Sequence, residues 1–428
     1  MLVGAGVPLP PLGDHELLVF WCQLVVLLLA ARAGGYVARR VGQPRVVGEL
    51  LAGVVLGPSV FGEVWVEGWE WLFPPDERQA GLLLGLAWFG IVLLLMTTGA
   101  ELDLETVRDA GRPTILTTVG SLVVPLGVGL AVGAWLPASF LGDDGRRWVF
   151  ALFVGVALAI SSLPVAARIL GDLGLLRRPV GQLVLTVATL NDIVGWLLLG
   201  VVVSLVEGGS VSFGDLAIAV VGMIVIGVLV IALGSRFLDR AVVEVERRDG
   251  GPAAMTSVIV LFTVAIGAAT HAIGVEVVIG AFFAGIALRR SRLGGGDDLH
   301  HIEVISKAVF APLFFAVAGL RVDLRALDGR AVLVGTLVIV GAATVGKLAG
   351  AYGGGRVGGL ASRDAFVVAA SLNARGALEV VVATVGLSVG VLNQASYAAI
   401  VVMALATTAI AAPLISLARR GDRTDGLG

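Results

Sequence analysis

The chain of 428 residues has a single cysteine, Cys22. That excludes an intrachain disulfide and any CxxC or multi-cysteine metal site. Charge is nearly as scarce. Asp, Glu, Lys and Arg make up 14% of the residues, against roughly 25% in a soluble domain. So little charge cannot cover the surface of a water-soluble fold. No basic tract occurs and the net charge is −2, which argues against a nucleic-acid partner. There is no Walker A sequence, no HExxH motif and no nucleophile–base pair at membrane depth. The chain therefore does not read as an ATPase or an intramembrane enzyme, and no cofactor is expected. The first residues carry Asp14 and Glu16 but no Lys or Arg before the first apolar run. The positive region of a cleavable signal peptide is missing, so that run is expected to stay in the mature protein.

What the chain does have is apolar length. Hydrophobic residues are 57% of it, with 60 glycines and a mean hydropathy of +0.97. A spanning helix needs about 20 mostly apolar residues. Such runs number thirteen between residues 15 and 418, among them 147–171, 180–206, 331–353 and 363–390. The expected fold class is an all-α polytopic membrane protein embedded in a lipid bilayer. The longest polar connections, 62–79 and 238–251, are too short for a folded soluble domain, and the tail 419–428 is expected to be disordered. Twenty arginines fall in one set of connections and six in the other. The richer set marks the cytoplasmic side. The amino terminus is then outside and the carboxy terminus inside, a parity that requires an odd number of spans.

The chain also echoes itself. Gly48-Glu49-Leu50-Leu51-Ala52-Gly53 resembles Gly280-Ala281-Phe282-Phe283-Ala284-Gly285, and Gly99-Ala100-Glu101-Leu102-Asp103-Leu104 resembles Gly319-Leu320-Arg321-Val322-Asp323-Leu324. The order and the similar offsets suggest two six-span units, 1–206 and 252–418, joined by a linker helix within 207–251. A shift of seven spans turns the second unit upside-down. Inverted repeats are a transporter architecture, with the site near mid-membrane at discontinuous helices.

Ionisable groups within apolar runs mark the candidate site, since a charge at mid-bilayer costs at least ~2.5–3.5 kcal/mol. Asp192 lies near the centre of run 180–206, preceded by Asn191. A carboxylate there can hold a proton and an alkali cation in turn, and Asn191 adds a neutral carbonyl oxygen. Ser161, Ser162 and Pro164 interrupt run 147–171. A proline inside a helix breaks its hydrogen-bond ladder, and such a break in lipid is tolerated where it lines a cavity or packs in protein. The hydroxyls and freed carbonyls can complete an oxygen shell; an ordinary kink is the alternative. Asn373, Arg375 and Glu379 sit mid-run in 363–390. Arg375 and Glu379 share a helix face at i,i+4, either as a structural ion pair or in direct handling of the ion. Lys347, one of only two lysines, lies inside run 331–353. Unlike arginine it can lose its proton when desolvated. It either pairs with Asp192 or snorkels to an interface. Glu101 and Asp103 end the third run near the cytoplasm, as a cation-gathering funnel or a solvated helix end. His300-His301 reads as an exposed loop.

These segments resemble the cation:proton antiporter superfamily, in particular the branch of plant and fungal cation/proton exchangers and bacterial Kef-type potassium efflux proteins. The likeness runs through Gln43-Pro44-Arg45-Val46-Val47-Gly48-Glu49, Leu56-Gly57-Pro58-Ser59, Gly99-Ala100-Glu101-Leu102-Asp103, Ser161-Ser162-Leu163-Pro164-Val165-Ala166-Ala167-Arg168-Ile169-Leu170, Asn191-Asp192, Lys347 and Asn373-Ala374-Arg375-Gly376. It implies a sodium/proton antiporter-like fold with two crossing broken helices, a core domain and a dimerisation domain. It implies Asp192 as the ion and proton carrier, Lys347 as the basic partner in the core, and a homodimer with an elevator-like core movement in a bacterial inner or plasma membrane. Electrogenic relatives carry two adjacent aspartates where this chain has Asn191-Asp192. The expected activity is therefore electroneutral exchange of one Na+ or K+ for one proton. A gated cation channel and a sodium-coupled organic-anion symporter are the alternatives on the same scaffold.

Overall fold

The computed structural model describes residues 13–101, 111–175, 178–208, 213–248, 250–273, 277–295 and 297–420. Asp103 and the tail from residue 421 lie outside them. The regular structure of the described residues is helical, apart from one isolated bridge between Leu141 and Leu392. The first half runs α1 (Asp14–Arg40), α2 (Arg45–Leu56), two short helices α3 (Phe61–Val64) and α4 (Val66–Leu72), α5 (Glu77–Glu101), α6 (Arg112–Trp135), α7 (Arg147–Ala159), α8 (Leu163–Asp172) and α9 (Pro179–Gly208). The long α10 (Phe213–Arg247) follows. The second half runs α11 (Pro252–His271), α12 (Val277–Arg290), α13 (Asp297–Ile305), a π-turn Ser306–Phe310, α14 (Ala311–Leu320), α15 (Arg330–Val357), α16 (Ser362–Leu372), α17 (Ala377–Ser388) and α18 (Gln394–Arg420).

Nine helical segments of the described residues are long and apolar enough to cross a membrane. Two of the runs outside these nine have a physical cause. Runs 147–171 and 363–390 are each a pair of short helices around an irregular break, so neither half meets the length of a full span. The polar connection 62–79 is not plain loop, since it holds most of α3 and all of α4. His300-His301 belongs to helix α13, not to a loop, though His300 is exposed as expected.

The helices sort into two groups by their contacts. In one, α2 lies against α1 and α14, and α12 against α5, α10 and α11. In the other, α6 lies against α7 and α15, and α18 against α15, α16 and α17, while α9 touches α6, α7, α8 and α16. Each group draws helices from both halves of the sequence. The two meet at few places, among them α9 against α10 and the Tyr397 hydroxyl donating to the Ala318 carbonyl at 2.7 Å.

The echoed glycines explain how helices in the first group approach so closely. A Cβ on Gly53 of α2 would stand 2.0 Å from the Ala316 carbonyl of α14, and one on Gly319 would stand 2.1 Å from the Leu50 carbonyl of α2. Likewise a Cβ on Gly99 of α5 would stand 2.2 Å from the Phe282 carbonyl of α12, and one on Gly285 would stand 2.0 Å from the Met96 carbonyl of α5. Only glycine permits backbones this close, and apolar membrane helices associate through such contact. The leading glycines of the motif act alike: Gly48 meets Gly34 of the preceding helix, and Gly280 meets Gly267 and Thr270 of the preceding helix.

Past the last turn of α2, Ser59 and Glu63 are tied to the turn after α14. The Ser59 hydroxyl donates to Asp323 at 3.0 Å and accepts from the Leu324 N–H at 2.7 Å, while Arg325 spans Asp323 and Glu63. The Arg325 guanidinium holds the Asp323 carboxyl below its ordinary range.

Two outcomes follow. Gly99→Ala is expected to lower the thermal midpoint of the purified protein, because overpacking costs about 1–3 kcal/mol. Gly85→Ala on the same helix, where a Cβ meets nothing within 4 Å, is expected to be neutral; equal midpoints would contradict the contact. A carboxylate whose folded pKa is depressed adds stability above its unfolded pKa and loses it as pH falls through the folded value. The midpoint difference between wild type and Asp323→Asn should thus be constant near neutrality and vanish in acid below the ordinary carboxylate range.

Candidate functional site

The site begins where a helix stops. The last four carbonyls of an α-helix have no intrahelical partner, and buried carbonyls need one. Helix α7 ends at Ala159 in a buried stretch. Its Val156 carbonyl accepts from the Ile160 N–H at 3.2 Å. The Ala157 and Leu158 carbonyls accept from the Arg375 guanidinium at 2.6 Å each. The Ala159 carbonyl accepts from the Lys347 ammonium, which also donates to the Ser121 carbonyl at 3.0 Å. Two fully buried basic side chains, Lys347 from α15 and Arg375 from the second break, thus cap one broken helix, at the end where its dipole favours positive charge.

The second break crosses the first. The Ser162 N–H donates to the Ala374 carbonyl at 3.1 Å. The Arg375 N–H donates to the Thr408 hydroxyl, which donates in turn to the Arg375 carbonyl. Glu379 accepts from the Gly376 N–H at 2.8 Å and stands 4.0 Å from the Arg375 guanidinium. The i,i+4 pair therefore exists as a spacing, but its members are engaged by backbone more closely than by each other. The Asn373 amide donates to the Thr407 carbonyl at 3.3 Å. Pro164 does not interrupt a helix. The break precedes it, at Ile160–Ser162, and it stands in the first turn of α8, where a missing N–H costs nothing. Its side chain lies outside the described residues.

Asp192, 3% exposed, meets the start of α8, where the Leu163 backbone N–H is hydrogen-bonded to its carboxylate. Its Oδ1 and the Ser162 Oγ are buried with no hydrogen-bond partner among the described residues. Both residues line a cavity of about 450 Å3 that extends past Glu49, Thr98 and Arg45 to Glu101 and Lys307. Glu101, read from sequence as part of a funnel, lies on this path. It is held by Lys307 at 2.5 Å, which also binds Glu303 at 2.7 Å.

Other expectations need correction. Asn191 and Ser161 do not line the cavity. The Asn191 amide donates to Ser121 at 3.1 Å and to Ser161 at 3.4 Å, so it braces α6 and the α7–α8 break instead. Lys347 forms no ion pair with Asp192 among the described residues; its ammonium is taken by carbonyls. Sequence reasoning missed Ser121, Thr407, Thr408 and Lys307. Thr407-Thr408 in an apolar helix was a usable signal, as was the rarity of lysine. The carbonyl partners leave no trace in sequence.

Residues 24–418 match the sodium/hydrogen exchanger transmembrane family. The chain belongs to this family. It is 30% identical over 402 residues to the Na+/H+ antiporter NhaS4 of Synechocystis, covering 94% of this chain and 97% of that one. It is 29% identical over 422 residues to K+/H+ antiporter 1 of Saccharomyces cerevisiae, covering 97% of this chain and 48% of that one. The chain spans about half the length of the plant and yeast relatives it matches. A sodium/proton antiporter from Methanocaldococcus jannaschii, solved at pH 8, superposes with a TM-score of 0.61 at 16% identity, covering 95% of this chain and 98% of that one. The sodium/proton antiporter fold is thereby shared.

Arg375→Met should strand two buried carbonyls and the Glu379 carboxylate. Breaking a buried pair costs about 3–5 kcal/mol, so a markedly lower thermal midpoint is expected, with partial recovery in Arg375→Met/Glu379→Gln. A single variant as stable as wild type would remove Arg375 from its structural place.

Proposed function

We propose that the chain is a secondary antiporter that exchanges a monovalent cation, Na+ or K+, for a proton at Asp192. The carrying observation is the pair of unpartnered buried oxygens, Asp192 Oδ1 and Ser162 Oγ, on the wall of a cavity. A buried carboxylate oxygen without a donor is costly, and either a proton or an alkali cation relieves that cost. The two therefore compete for one place. Family membership and the Na+/H+ and K+/H+ relatives support this reading.

The cavity opens at the end bearing Arg45, Glu101 and Lys307, which the arginine bias assigns to the cytoplasm. Beyond Asp192, Trp196 of α9 lies against Phe282 of α12 with ring centroids 5.7 Å apart. The proposal treats this contact as the closed side. Access alternates when the α6–α9 and α15–α18 group moves against the other. Thirteen spans with the amino terminus outside, two inverted units and a homodimer complete the reading; the matched glycine contacts of α2 with α14 and α5 with α12 support the inversion. Asn191 is neutral and engaged elsewhere, so one carboxylate serves one cation and one proton, and exchange is electroneutral.

The experiment is dequenching of a pH dye in proteoliposomes with Li+, Na+, K+ and Rb+ in turn. Wild type should exchange at least one of them, at a rate independent of an imposed potential. Asp192→Asn should abolish exchange while remaining monodisperse. Exchange retained in that variant rejects Asp192 as carrier. A potential-dependent rate rejects the one-for-one ratio, and cation flux without proton movement favours a channel.

A further inference from the structure

The cavity has two walls of different origin. Ser162 and Asp192 belong to the group built on the two breaks, whereas Glu49, Thr98 and Glu101 belong to the other group. The second wall carries its own buried carboxylate. Glu49 lies in the apolar helix α2 and is 8% exposed, and it lines the cavity. Placing a carboxylate in such a helix is costly unless it has a use.

Its surroundings do not supply a structural use. Glu101 is bound by Lys307, and Glu379 by the Gly376 N–H. No hydrogen bond or ion pair within 4 Å engages the Glu49 carboxylate among the described residues; Arg45 and Arg32 influence it only from a distance. On its far side a Cβ at Gly35 of α1 would lie 3.3 Å from Oε1, so the glycine leaves room for the carboxylate. An independent feature points to a ligand in the same space: the Ser162 Oγ, 1% exposed and without a partner, lines the cavity as well.

We propose that Glu49 is a second monovalent-cation-binding carboxylate, on the wall opposite Asp192, which holds the ion before Asp192 takes it. The inference rests on exchange at Asp192. Because the two acids stand on different helix groups, a movement that carries Asp192 toward the other face leaves Glu49 behind. The site is then one-sided. It concentrates the cation, as a lined cleft does, only for ions arriving from the Glu101–Lys307 face.

Two measurements test this. The first is the thermal midpoint of the purified protein titrated with NaCl and KCl against choline chloride at constant ionic strength, since a ligand of the folded state raises it. Asp192→Asn should keep a saturable rise through Glu49, and Asp192→Asn/Glu49→Gln should lose it. The second is exchange with the cation offered at one face at a time. Glu49→Gln should raise the half-saturating concentration about tenfold at the Glu101–Lys307 face and leave the other face within about twofold. Glu49→Asp keeps the charge but draws it back, and should fall between; it carries the test if Glu49→Gln does not fold. Identical titrations of the single and double variants, or an unchanged half-saturation in both Glu49 variants, overturn the second site while Asp192 stands. Exchange that survives Asp192→Asn overturns the reading beneath it instead.

Discussion

The last turn of α7 is the constraint on which the site depends. A helix that stops inside a membrane protein exposes carbonyls that water cannot reach, and each must find a donor. Three of the four here are taken by side chains of Lys347 and Arg375 from elsewhere in the chain. Neutral donors could have served, but ammonium and guanidinium bonds are roughly twice as strong as neutral ones. The two cations thereby fix α15 and the second break to the first. They also bring two basic side chains close to the buried carboxyls of Glu379 and Asp192.

From this follows a division of labour among the polar residues. Arg375, Glu379, Thr408 and Asn191 are engaged in bonds that hold the crossing together. Asp192 and Ser162 retain oxygens without donors and face the cavity. A half-satisfied polar network is unfavourable in a core made only for stability. Asn373 Oδ1, Arg375 Nε and Glu379 Oε1 also lack a partner among the described residues but do not line the cavity. Asp192 Oδ1 and Ser162 Oγ are the ones with access to a ligand, at the boundary between two helix groups joined by few polar bonds. A site at such a boundary can be exposed by a modest relative displacement, without breaking the carbonyl bonds that define it.

How much of this was legible in the sequence depends on the kind of interaction. Charges in apolar runs are conspicuous because lipid penalises them, so Asp192, Lys347, Arg375 and Glu379 stood out, and all four are buried together around the breaks. The membrane class and the helices around the breaks followed from hydropathy alone. Direction was not legible. Whether Asn191 turns toward an ion or toward Ser121 is decided by tertiary neighbours, and so is the choice of Lys347 between Asp192 and two carbonyls. Pro164 illustrates a different failure. Its presence signalled a break, but proline is as suited to the first turn of a new helix as to ending an old one, and residue type alone does not say which.

The same geometry bears on stoichiometry. A transporter that moves unequal charge must change the ionisation of more than one group per cycle, or leave a charge unbalanced. Lys347, Arg375 and Glu379 are each hydrogen-bonded to backbone groups, and none of them lines the cavity. Asn191 has no proton to give. Among the polar groups of the crossing, Asp192 alone is both ionisable and turned to the cavity. Replacing a proton on its carboxylate by a monovalent cation leaves the total charge of the crossing unchanged. On the proposed exchange, the moving group then carries the same charge in both directions, and the membrane potential has no net work to do on it.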